Sequence, residues 1–237
     1  MNTNIISAIR QELKLQINEK TKQSYQSFFK ELVTAYGIKT ATVNKIARDR
    51  FKDVKPLGKQ ATFALCEKLL ESDYNEEAFI ALQWAYWLHD EYEPGDFAIL
   101  ESWIEKYINN WAKCDTLCNH AVGSFIERFP QYIDNLKKWT ASENRWLRRA
   151  SAVTLIIPAK RGKFLSDIFH IADSLLQDKD DLVQKGYGWM LKEASIKHQE
   201  EVLDYIIRNK ILMPRTALRY AIERMPKDLK KKAMAKP

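Results

Sequence analysis

The sequence is sparing with the residues that make tight turns: seven glycines and seven prolines in 237 residues. A chain of short strands and hairpins needs more of both. Long stretches combine Ala, Leu, Lys and Glu at helical spacing, so an all-α fold is expected. There is no Gly-rich phosphate loop and no nucleophile elbow, and four scattered histidines suggest no Ser–His–Asp or Cys–His arrangement. The three cysteines, Cys66, Cys114 and Cys118, give no disulfide framework and suit a reducing cytoplasm. Cys114, Cys118 and His120 form a C-x3-C-x-H cluster, but a closed zinc site needs four ligands at fixed geometry. Cys66, His89, His170 and His198 supply no matching pair, so neither metal nor cofactor is expected. The longest apolar run, Val153 to Ala159, cannot span a bilayer, and Arg10 and Glu12 sit where a secretory signal needs an apolar block. A soluble, cytoplasmic, monomeric protein without a membrane partner is the expectation.

Charge is present in quantity and is segregated. The net charge is +7, yet Glu71 to Glu101 holds nine acidic residues and no Lys or Arg, whereas Leu136 to Lys163 holds eight basic residues and one acid, Glu143. A basic block of this kind is the electrostatic footprint of a polyanion partner, with the acidic block facing elsewhere. Candidate phosphate contacts are Lys137, Lys138, Arg145, Arg148, Lys160, Arg161, Lys163 and Lys185, with Lys230, Lys231 and Lys232 near the C-terminus.

Helices are predicted over 3–17, 20–35, 40–54, 58–71, 75–89, 96–109, 112–129, 131–138, 143–158, 163–176, 180–196, 199–208 and 214–224, followed by a basic tail. The stretch SENRWLRRASAV (Ser142 to Val153) is echoed 36 residues later in DKDDLVQKGYGW (Asp178 to Trp189), and more weakly upstream in YNEEAFIALQWA (Tyr74 to Ala85). Degenerate helix-pair repeats of this length resemble HEAT repeats, which stack into a curved solenoid with a concave binding face. The expected organisation is a single domain over 1–237: N-terminal helices to residue 70, motif-bearing repeats over 71–225 and a basic tail over 226–237. A compact, non-repetitive helical bundle is the alternative.

Three places could carry function. In NNWAKCDTLCNH, Trp111 and Asp115 are four apart and share a helix face, an aromatic plane beside a carboxylate. In NRWLRRAS, Arg145 and Arg149 share a face. In QKGYGWMLK, Lys185 and Trp189 are four apart, and Gly186 and Gly188 allow close backbone approach. Taken singly, a tryptophan at helical spacing is usually core, an aspartate usually a surface acid, and an arginine in a repeat helix usually a partner of a neighbouring acid.

In order and spacing, W111-A-K-C-D115, W146-L-R-R149-A and Q184-K-G-Y-G188-W189-M-L191 together resemble the AlkD-type DNA alkylation repair glycosylases, over roughly residues 70–225 and more weakly upstream. The resemblance implies a HEAT-like solenoid that holds duplex DNA on a basic concave face and hydrolyses the N-glycosidic bond of N3- and N7-alkylated purines. It implies Asp115 as the catalytic carboxylate, Arg149 as an active-site arginine near the backbone, Trp111 and Trp189 as aromatic walls beside the lesion, and Tyr25 as an N-terminal aromatic of the site. The alternatives are a catalytically silent helical-repeat protein that binds distorted or branched DNA, and a protein-binding scaffold working through Glu71–Glu101.

Overall fold

The computed structural model describes residues 2–235, and among them there is no strand. Two helices, α1 (Asn2–Lys14) and α2 (Glu19–Gln26), precede a series of helix pairs. The pairs are α3 (Thr40–Val54) with α4 (Lys59–Leu70); α5 (Asn75–Trp87) with α6 (Asp96–Tyr107); α7 (Trp111–Thr116) and α8 (Gly123–Arg128) with α9 (Ile133–Trp139); α10 (Arg145–Val153) and α11 (Ile156–Lys160) with α12 (Leu165–Ser174); α13 (Asp181–Ala194) with α14 (Gln199–Asn209); and α15 (Arg215–Ala221) with α16 (Lys227–Met234). The chain divides into two compact units, one up to Leu117 and one from Cys118 onward. No helix among the described residues is long and apolar enough to cross a membrane.

The first helix of every pair starts from an extended cap residue: Lys39, Tyr74, Asn110, Asn144, Asp180 and Pro214, at spacings of 34 to 36 residues. The 36-residue echo read from the sequence is thus one interval of a longer series. Three of the six caps share chemistry as well as spacing. Two residues before the cap, a side-chain oxygen accepts the cap's own N–H: Ser72 Oγ from Tyr74 (3.3 Å), Ser142 Oγ from Asn144 (3.1 Å) and Asp178 Oδ1 from Asp180 (2.8 Å). An unmet donor at a helix start is costly, and this local bond removes it. Pro214 has no N–H, and the equivalent position is Leu212, with no acceptor.

In the first unit, α5 packs between α3 and α7, and Trp84, fully buried, donates its indole N–H to Ala47 O at 2.8 Å. In the second unit, α13 packs between α10 and α15 over Tyr187, Met190 and Leu191, all fully buried. Each such side chain contributes about 2–3 kcal/mol of apolar burial. The contact of α13 with α15 is unusually close. A Cβ on Gly188 would lie 2.7 Å from Ala217 O and 2.8 Å from Tyr220 Cβ. The close approach expected of the two glycines is therefore made by Gly188; a Cβ on Gly186 would meet its nearest neighbour at an ordinary 3.4 Å.

Several helix boundaries differ from the periodicity. The helix expected over 20–35 stops at Gln26, where the amides of Ser27, Phe28 and Phe29 close tighter turns onto the oxygens of Ser24, Tyr25 and Gln26. Gln26 Nε2 donates to Glu31 O and its Oε1 accepts from Val33 N, while the buried carboxylate of Glu76 accepts the N–H groups of Tyr36, Gly37 and Ile38 (2.8–3.1 Å). Gly37 turns with φ +87°, and a Cβ there would strike Lys22 at 2.4 Å. The helix expected over 112–129 contains a π-helical stretch, Leu117–Val122. The helix expected over 143–158 breaks between Val153 and Ile156, since Pro158 has no N–H to give Thr154 O. The basic tail is not wholly irregular: its residues 227–234 form α16.

The acidic block is only partly a surface. Glu76 and Glu77 are buried; Glu77 takes Arg10 at 3.0 Å and the hydroxyl of Tyr36 at 2.7 Å. Asp96 takes Lys59 at 2.8 Å and Asp73 takes Lys113 at 2.6 Å. Four of the nine acids thereby hold elements together, which explains why the block has so little basic sequence nearby: its cations arrive from other helices.

Candidate functional site

In the first unit, Asn110 caps α7 by accepting from Lys113 N at 3.0 Å, so Trp111 is the first residue of the helix and Asp115 stands one turn on. Both are half-buried. The Trp111 indole stacks on Phe29 at 5.3 Å between centroids and 23° between planes, and its Nε1 donates to Phe28 O at 3.3 Å. Phe29 in turn contacts Tyr25 at 5.3 Å. Tyr25, Phe29 and Trp111 therefore form one aromatic row, 86 residues apart at its ends, made possible by the early stop of α2. Phe29 was not singled out in the sequence; no local signal marks it, because its partner lies on a distant helix.

Behind the row runs a chain of amides. Asn110 Nδ2 donates to Asn75 Oδ1 at 2.9 Å, and Asn75 Nδ2 donates to the Tyr25 hydroxyl at 3.4 Å. Asn75 and Asn110 are both buried, so these bonds act in a low-dielectric interior and fix the rings. Burial, then the negative charge of Glu76, raises the Tyr25 phenol to about 12, against the weaker opposing bond from Asn75; it stays a neutral hydroxyl at physiological pH.

Between Trp111 and Asp115, Lys113 and Cys114 are buried and turn inward. Lys113 Nζ donates to Asp73 Oδ1 at 2.6 Å, Asp73 O at 3.0 Å and Asn109 Oδ1 at 3.1 Å. Burial lowers the Lys113 ammonium from its usual range, opposed by Asp73. Lys113 holds the base of α7 and leaves the outward face to Trp111 and Asp115. A flat aromatic face beside a carboxylate can take a cation or a developing positive charge.

In the second unit, Arg149 is buried, and its Nη1 donates to the backbone oxygen of Leu182 at the start of α13. Arg145 and Arg148, expected as phosphate contacts, are engaged in the same direction. Arg145 Nε and Nη2 clasp the two Asp180 oxygens at 2.7 and 3.0 Å, and Arg148 Nε meets Asp178 at 2.7 Å. Arg161 and Lys163 converge on Glu127 at 2.6 and 3.0 Å with their side chains still half-exposed, and Lys185 meets Asp181 at 3.2 Å. Lys160 is exposed and has no ion pair among the described residues. The half-buried Trp189 donates its Nε1 to Glu193 at 3.2 Å, and Lys192 Nζ lies 5.9 Å from the Trp189 ring and 5.8 Å from the Tyr220 ring. Among the described residues no group of three or more His, Cys, Asp or Glu is arranged to hold a metal ion.

The fold and these residues can be set beside known proteins. A solved structure described as a predicted DNA alkylation repair enzyme from Enterococcus faecalis superposes with a TM-score of 0.80 over 90% of this chain and 98% of its own, at 15% sequence identity. That likeness is one of fold. No curated protein matches the sequence. The family described as DNA alkylation repair enzyme matches residues 9–225, which takes in the aromatic row, the Trp111–Asp115 turn, Arg149 and Trp189. A match across that much of the sequence assigns the chain: it belongs to the DNA alkylation repair enzyme family.

Proposed function

We propose that this protein is a DNA glycosylase that hydrolyses the N-glycosidic bond of N3- and N7-alkylated purines in duplex DNA and so opens base excision repair. The observation that carries the reading is the Trp111–Asp115 turn. An indole clamped from behind by Phe29 and by the Phe28 carbonyl stands one helical turn from a carboxylate, in a chain of a family devoted to alkylated DNA.

Alkylation at N7 or N3 leaves the purine positively charged, so the base departs as a neutral species and needs no general acid. As the C1′–N9 bond breaks, its electron pair passes to the purine ring and positive charge develops on the deoxyribose. Asp115 stabilises that charge and orients the water whose oxygen bonds to C1′, the proton passing to the carboxylate or to solvent. Trp111 offers an aromatic face to the cationic nucleotide, worth roughly 0.5–2 kcal/mol depending on desolvation. Arg149, Lys160, Arg161 and Lys163 serve the DNA backbone in this reading, whereas Arg145 and Arg148 contribute through the joint to α13. No cofactor takes part.

The test is release of free 7-methylguanine from methylated duplex DNA by the purified protein and by Asp115→Asn, which keeps size and deletes charge. The variant should lose about a hundredfold or more in rate, since one well-placed electrostatic group is worth roughly 2.7–4 kcal/mol in a transition state, while duplex affinity changes little. Release at the wild-type rate would remove Asp115 from the reaction.

A further inference from the structure

The cap series gives every first helix a common numbering, and that numbering exposes a difference at the last pair. The first residue after the cap is Thr40, Asn75, Trp111, Arg145, Asp181 or Arg215; the fifth is Asn44, Phe79, Asp115, Arg149, Lys185 or Arg219. The residues singled out for function at Trp111, Asp115 and Arg149 thus occupy two rows, and the rows end on Arg215 and Arg219.

Within the second unit, cations in these rows are met by the protein itself. Arg145 is clasped by the Asp180 carboxylate and Arg149 by the Leu182 carbonyl, both at the start of the following first helix; Lys185 is met by Asp181 on its own helix. The pair that begins at Pro214 is followed by no further first helix among the described residues. Arg215 and Arg219 are exposed, and their side chains make no hydrogen bond or ion pair with any described residue. Their backbone is nevertheless rigidly placed, because Gly188 brings α15 into van der Waals contact with α13 at Ala217 and Tyr220, between the two arginines and just past them. Two guanidiniums carried one turn apart on a closely packed helix, and lacking an internal anion, suit a pair of phosphate oxygens.

We infer that Arg215 and Arg219 form a phosphate-binding site on α15 that grips the DNA backbone. The inference rests on the reading of this chain as a duplex-DNA enzyme but not on its chemistry. It assigns to the last pair the backbone contact that Arg145, bound to Asp180, is poorly placed to make.

The experiment is a salt titration of binding to an undamaged 25-base-pair duplex by the wild type, Arg215→Gln/Arg219→Gln, Arg215→Lys/Arg219→Lys, and a control that removes two exposed cations at the far end of α3, Lys52→Gln/Lys55→Gln. The Gln pair should lower the slope of log K against log salt by about 1–2, since each phosphate neutralised contributes roughly 0.9, and should weaken binding about tenfold or more at low salt. The Lys pair should keep most of the slope, and the control should keep all of it. With 7-methylguanine DNA at saturating enzyme, the Gln pair should release base at the wild-type rate. A slope unchanged in the Gln pair, an equal change in the control, or a fall in the saturating rate would each overturn the assignment. A wild-type protein that binds duplex but releases no base would defeat the glycosylase reading and leave this one to stand or fall on the slopes.

Discussion

The two units make the same joint between successive helix pairs with opposite polarity. At the joint between α5 and α7, the earlier cap region supplies the acid and the later helix the cation: Asp73 receives Lys113, and Asn75 receives Asn110. At the joint between α10 and α13 the earlier helix supplies the cations and the later cap region the acids: Arg145 and Arg148 reach Asp180 and Asp178. The first arrangement buries its lysine almost completely, with 1% of the side chain exposed, whereas Arg148 keeps 21% and Arg145 34%. The difference teaches that a conserved spacing of caps does not require conserved charges, only that each joint be complementary. It also separates two uses of a cation that look alike in sequence: Lys113 is an internal anchor, and Arg145 and Arg148 are joints that remain partly wet.

This comparison can be broken by mutation. The largest effect should come from Lys113→Ala, which leaves a cavity and strips Asp73 of its ammonium; a loss of about 3 kcal/mol is expected in chemical denaturation, and a change under 1 kcal/mol would show that the buried joint is dispensable. Next is Gly188→Ala. Its new methyl would press on the Ala217 carbonyl, which cannot swing aside as a side-chain tip could, so about 2 kcal/mol should be lost. Arg148→Ala, at the wetter joint, should cost about 1 kcal/mol, and a double-mutant cycle with Asp178→Ala should return a coupling smaller than the Lys113–Asp73 cycle does.

The smallest effect is in pH. Burial tends to raise the Asp73 carboxyl, but Lys113, Asn109 and Thr34 outweigh it and leave the group below its ordinary 3.8. A carboxyl held below its unfolded value stabilises the fold fully above that value, and the contribution is lost as pH falls through the lowered one. Acid unfolding of Asp73→Asn should therefore lose less stability as pH falls below about 4 than the wild type does, a flattening visible by circular dichroism.

Much of this was legible from the sequence because it is local or periodic. Helical spacing gave the all-α class, the 36-residue echo gave the repeat, and W-x3-D with its two downstream motifs pointed to the family. What stayed hidden is what one part of the chain does to another forty residues away. Nothing near Tyr36 announces that Glu76 will take three successive amides there, and nothing near Phe29 announces Trp111. The charge blocks were read as faces because a sequence shows the sign of a residue and not its partner; the fold turns Glu76, Glu77 and Asp96 inward, ties Asp73 to Lys113 and occupies Arg145 and Arg148.

Joints of opposite polarity also make the helix pairs non-interchangeable. Suppose a tandem duplication copied the pair that begins at Asn144. In the first copy, Arg145 and Arg148 would then face Asn144 and Ser142 of the second, where Asp180 and Asp178 stand now, and two half-buried guanidiniums would lose their carboxylates. Each pair is keyed to the one that follows, so an array of this kind resists lengthening by simple copying even though its caps recur at an almost constant interval.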